Sequence, residues 1–102
     1  RVKMKAIMNK EKPQTLEQAR EYIDAIDSAL VELLAQRQFY VDQALKFKRS
    51  GYELQSPERT EQVMNKVRAE AQAHALDPIL VERIYQQITE HIIQRELKEI
   101  RP

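Results

Sequence analysis

Two cations stand where a helix would otherwise carry apolar side chains. From Thr15 to Arg49 the sequence TLEQAREYIDAIDSALVELLAQRQFYVDQALKFKR contains no Gly or Pro. Its apolar residues recur at Leu16, Ala19, Ile23, Ile26, Leu30 and Leu33, alternating three and four apart, as one stripe of a helix requires. The next position of the stripe is Arg37, followed by Tyr40, Val41 and Ala44, and Lys48 closes the run. Arg37 and Lys48 are separated by about 16 Å along a helix axis. Their long side chains could reach toward each other and hold the two ends of a small dianion. A second anomaly lies downstream, where the inward face Val81, Ile84, Tyr85, Ile88, Ile92 leads to Glu96, a carboxylate in place of an apolar group. Arg59 would come from a further helix.

Each charge has an ordinary explanation when taken alone. An Arg or Lys on a helical seam usually snorkels to solvent, and a Glu near a helix end is usually exposed. Several together weigh differently, because unpartnered buried charges cost several kcal/mol each and a ligand that neutralises them removes that cost. Arg20 lies about 42 Å from Lys48 along the same helix. It can join that site only from the partner chain of an antiparallel dimer.

Other chemistries have little support. The chain has no cysteine, so disulfides, thiolate metal sites and a Cys nucleophile are excluded. His74 and His91 lack an acidic cluster at metal-ligand spacing, and no metal is expected. Ser28, Ser50 and Ser56 have no nucleophile context, and Ser56 is explained as a helix cap. The four tyrosines read as core or interface residues rather than a base-stacking platform. Nothing resembles a glycine loop that cradles phosphate.

The elements that must position these groups can be read from caps and breakers. Thr15 with Gln18 fits a capping box, and Ser50-Gly51, with the single glycine of the chain, marks the stop. YELQ then reads as a loop. Ser56-Pro57-Glu58 starts a second helix, expected from Pro57 to about His74 with Val63, Val67 and Ala71 inward. Leu76-Asp77-Pro78 repeats that grammar and starts a third, from Pro78 to about Ile100. The first helix would be roughly 50 Å long, while a compact domain of about 100 residues has a radius of gyration near 13 Å. A second copy of the chain is the natural cover. The expected fold is all-α: three helices per chain, the first long, in an intertwined helical homodimer.

Composition agrees with this class. The 102 residues are 42% hydrophobic and 32% charged with one Gly, which reads as one all-helical domain rather than a β or disordered chain. Seventeen Lys and Arg against sixteen Asp and Glu leave a net charge of +1, so no global field points to nucleic acid or an anionic membrane. No apolar run reaches the roughly 18 residues of a membrane span, and a cytoplasmic location is expected. Residues 1–14 form a basic, weakly patterned arm, with expression-derived residues expected ahead of Met4. The helical domain is expected to span 15–102.

At this point the residues match a family. The pattern AR-x2-ID-x-ID-x2-L-x2-LL-x2-R from Ala19 to Arg37, then Lys48, PER at Pro57 to Arg59 and ALDP at Ala75 to Pro78, resembles the all-helical (type II) chorismate mutases. The match runs over about residues 15 to 98. The resemblance implies an intertwined dimer with two equivalent sites, each completed by an arginine of the other subunit, a position that Arg20 matches. Arg37 and Lys48 match the carboxylate-binding arginine and the lysine at the substrate's ether oxygen, and Arg59 matches a further active-site arginine. It implies pericyclic chemistry on a dicarboxylate with no cofactor. Catalytic roles fall to Lys48, Glu96 and Arg37, and substrate binding to Arg20, Arg37, Arg59, Thr60 and Ile92.

The departures from the family pattern bear on substrate. Where many members place a glutamine opposite the lysine, this chain has Glu96, which donates a hydrogen bond only when protonated. Burial would favour its protonated form and nearby cations would oppose it. The mutase glutamate directly after the Arg59 position is Thr60 here, the aspartate three before that arginine is Ser56, and the serine of the last helix is Ile92. FKRS followed by SPERT looks more like the isochorismate pyruvate lyase branch. The expected activity is chorismate to prephenate. The alternatives are isochorismate to salicylate plus pyruvate, then aminodeoxychorismate mutase, then a non-catalytic helical dimer.

Overall fold

A run without breakers becomes a long helix when its ends are capped, and the caps are in place. The computed structural model describes residues 2–47 and 56–100, and among these every regular element is helical. The order is α1 (Val2–Met8), α2 (Leu16–Leu45), α3 (Pro57–Ala73) and α4 (Pro78–Ile100). At the start of α2, Thr15 Oγ1 accepts the backbone N–H of Gln18 at 3.0 Å, and the Gln18 side chain reaches back to accept the N–H of Gln14 at 2.7 Å. Ser56 Oγ accepts from the Arg59 N–H at 3.3 Å at the head of α3, and Asp77 Oδ1 accepts from the Ile79 N–H at 2.9 Å at the head of α4. Each cap satisfies a backbone donor that a first helical turn leaves open.

Two expectations about the helices are corrected. The described chain has four helices rather than three, because the N-terminal arm carries α1. Its sequence VKMKAIM is rich in good helix formers, and Lys3 Nζ lies 3.6 Å from Glu21 Oε2 of α2. The second correction is that α2 ends at Leu45 rather than Arg49. Helical turns in proteins are held chiefly by a packed apolar face, and Phe47, the apolar residue of that last stretch, is 86% exposed. The Ser50-Gly51 stop and the YELQ loop lie outside the described residues.

Contacts divide the chain into two compact units, Arg1–Ala44 and Leu45–Pro102. In the first, α2 is amphipathic yet has no buried residue. Leu16, Ile23, Leu30 and Leu33 of its apolar stripe are all exposed. In the second unit, α3 and α4 pack as a hairpin tied by Arg68 Nη2 to Glu82 Oε1 at 2.6 Å. Its core is Met64, Ala71 and Ile92, with Glu96 buried among the polar residues. Met64 takes the place expected for Val63 and Val67, which are half-buried, because it lies two turns from Ala71 on the same stripe. Ile84, expected inward, is 48% exposed in the single chain.

The α3–α4 turn contains no glycine. Ala75 takes the left-handed conformation at φ 56°, with the Leu76 N–H donating to the Ala71 carbonyl at 2.8 Å and the Ala75 N–H to that of Gln72 at 3.1 Å. These two bonds make a Schellman motif, normally built on glycine. Lys10 ends α1 in the same way, at φ 54°.

Candidate active site

The residues singled out by type and spacing fall in both units. Arg20 is exposed on the second turn of α2, in an open groove lined by Thr15, Leu16, Glu17, Glu21 and Asp24. Arg37 is half-buried on the same helix, roughly 26 Å further along the axis. That separation exceeds the span of a small dicarboxylate, so one ligand cannot meet both arginines of one chain. Lys48 lies outside the described residues.

The other four lie in the second unit, Arg59 and Thr60 on α3 and Ile92 and Glu96 on α4. Helices that rise equally per residue keep their register, so the Arg68–Glu82 contact sets the level of the rest. Arg59 then stands at about the level of His91, and Thr60 at about that of Glu90. The first turn of α3 therefore faces the same end of the hairpin as Ile92 and Glu96. Ile92 is 6% exposed and Glu96 is 4% exposed, one turn apart on the buried stripe of α4. Thr60 is half-buried, and its backbone N–H donates to the Ser56 carbonyl at 3.0 Å. Arg59 is exposed, and its Nη1 donates to Gln62 Oε1 at 2.9 Å.

A carboxyl group at this degree of burial suits hydrogen donation when it is protonated, and ionisation costs it the hydration it would have in water. Ile92, one turn away, puts an apolar side chain on the same buried stripe. Among the described residues no group of three or more His, Asp or Glu could hold a metal ion. No described helix is long and apolar enough to cross a membrane. Gln62, which meets Arg59, does not stand out by residue type in the sequence. Its signal was its place three residues after Arg59, where side chains of one helix meet.

Comparison with known proteins gives two matches. The family model for chorismate mutase type II matches residues 19–97. A curated relative, the isochorismate pyruvate lyase of Pseudomonas aeruginosa, is 34% identical over 79 residues, which cover 78% of this chain and 78% of the relative. No solved structure matches significantly.

Proposed function

Because this chain belongs to the type II chorismate mutase family, we propose that it is a pericyclic enzyme of a chorismate-type dicarboxylate that eliminates pyruvate from isochorismate to leave salicylate. The observation that carries this choice is its 34% identity to an isochorismate pyruvate lyase over most of both chains. Thr60 agrees with it, standing where the mutases carry the glutamate that holds a ring hydroxyl. The second reading is chorismate to prephenate, placed first on the family resemblance as the shared activity of the fold, and the description of the matched family model supports it.

The proposed reaction balances without a cofactor. The ether C–O bond of isochorismate breaks, and its oxygen leaves with the side chain as the keto group of pyruvate. The side chain's methylene carbon takes one hydrogen from the ring and becomes a methyl group. The ring, having lost that hydrogen and the oxygen substituent, is aromatic. The enzyme's task is then to hold the substrate folded and to stabilise charge on the departing oxygen. Arg37, Arg59 and the partner subunit's Arg20 would clamp the carboxylates, removing most of the orientational entropy barrier. Lys48 and protonated Glu96 would donate to the ether oxygen as negative charge grows there.

This arrangement requires a homodimer. Its support is the uncovered apolar stripe of α2 together with the distance between Arg20 and Arg37 along that helix. An antiparallel partner helix would bury the stripe and bring its own Arg20 to the far end.

The test is to supply chorismate and isochorismate separately and follow prephenate, salicylate and pyruvate. Salicylate and pyruvate in equal amounts from isochorismate are expected. Prephenate alone would establish the mutase reading. Neither product from either substrate would move aminodeoxychorismate rearrangement or a non-catalytic helical dimer to the front.

A further inference from the structure

Arg59 stands in the first turn of α3, where the partial positive charge of a helix N-terminus disfavours a cation. Its placement there does not serve the helix. Its guanidinium meets the side chain of Gln62 at 2.9 Å, one turn further along. Since a guanidinium only donates, the Gln62 amide must present its oxygen. Both side chains are exposed, so the bond adds little to stability. It narrows the rotamers of a long, flexible cation.

The kind of acceptor matters. Glu58 and Glu61 sit close to Arg59 in sequence, and the Glu58 carboxylate lies 3.5 Å from Ser56 Oγ. The acceptor that meets the guanidinium is the neutral one. A carboxylate at position 62 would form a charge-assisted pair and compete with any anionic ligand. An amide holds the guanidinium and leaves its charge available.

We propose that Gln62 is a positioning residue for anion capture: it pre-orients Arg59 without neutralising it. The inference rests on Arg59 being a substrate-binding residue. Pre-orientation lowers the ordering cost of binding, so its loss raises KM and spares kcat.

The experiment is steady-state kinetics on whichever of isochorismate and chorismate the wild type turns over, with helical content checked by circular dichroism. Gln62→Ala should raise KM about threefold and Gln62→Glu about tenfold, with kcat within about twofold of wild type. In an Arg59→Ala background, Gln62→Glu should have no further effect. Unchanged or lowered KM in both single variants overturns the proposal, as does a Gln62→Glu defect that persists in full without Arg59. If Arg59→Ala itself leaves KM unaltered, or the wild type turns over neither substrate and calorimetry detects no chorismate binding, the underlying reading fails and the proposal falls with it.

Discussion

Replacing Glu96 by Gln tests the proposed donor role of one buried carboxyl group. Glu96 is 4% exposed and lies one turn beyond Ile92 on α4. The proposed donor role toward the ether oxygen requires the protonated form, so on that reading activity should be full at low pH and fall as pH rises and the carboxyl group ionises. One proton per site makes kcat/KM fall about tenfold per pH unit on that limb, about 1.4 kcal/mol of barrier each time. Glutamine has the same length and keeps a donor at every pH. Two units above the titration, Glu96→Gln should therefore exceed the wild type by about a hundredfold, or roughly 2.7 kcal/mol. Below it the two should agree within about twofold, whereas Glu96→Ala should lose about 10² to 10³ in kcat, as removal of an oxyanion donor does. The assay is kcat/KM in overlapping buffers from about pH 5 to about pH 9, a range wide enough to span a perturbed carboxyl group. A flat wild-type profile, or the same alkaline limb in Glu96→Gln, would refute the donor role.

Two further outcomes follow from position. Arg20→Ala and Lys48→Ala should each be inactive alone and recover about a quarter of wild-type activity when mixed to random heterodimers, since half the dimers then carry one intact site. Failure to recover, with subunit exchange verified by mass spectrometry, would exclude a shared site. At the α3–α4 turn, Ala75 bears the penalty of the left-handed region at φ 56°. Ala75→Gly should stabilise the protein by about 0.5–1 kcal/mol, raising Tm by about 2–6 °C in a thermal melt. A lower Tm would show that the turn gains more from alanine's restricted unfolded state than it loses in strain.

Much of the fold was legible because helix grammar is local. Thr15, Ser56 and Asp77 each act through a backbone donor two or three residues away, so the starts of α2, α3 and α4 follow from sequence alone. Both left-handed turns escaped notice because Lys10 and Ala75 stand where glycine is the usual signal, and the hydrogen bonds around them override a modest side-chain penalty. The pairing of Arg59 with Gln62 is also local, but spacing three apart is shared by many pairs, and only the rotamers choose among them.

By itself, the sequence determined the all-helical class, the family, and the residue types in the charged seams, because periodicity, caps and motif spacing are one-dimensional properties. Only the tertiary structure decided which face of α3 is buried, that Glu96 on the stripe of Ile92 is buried rather than exposed, and that the first turn of α3 stands at their end of the hairpin. Those depend on packing between helices, where Met64 in place of Val63 changes which side chains meet. The exposure of the α2 stripe is likewise a property of the folded single chain. A sequence marks that stripe as apolar, while the folded chain determines whether its own residues can cover it.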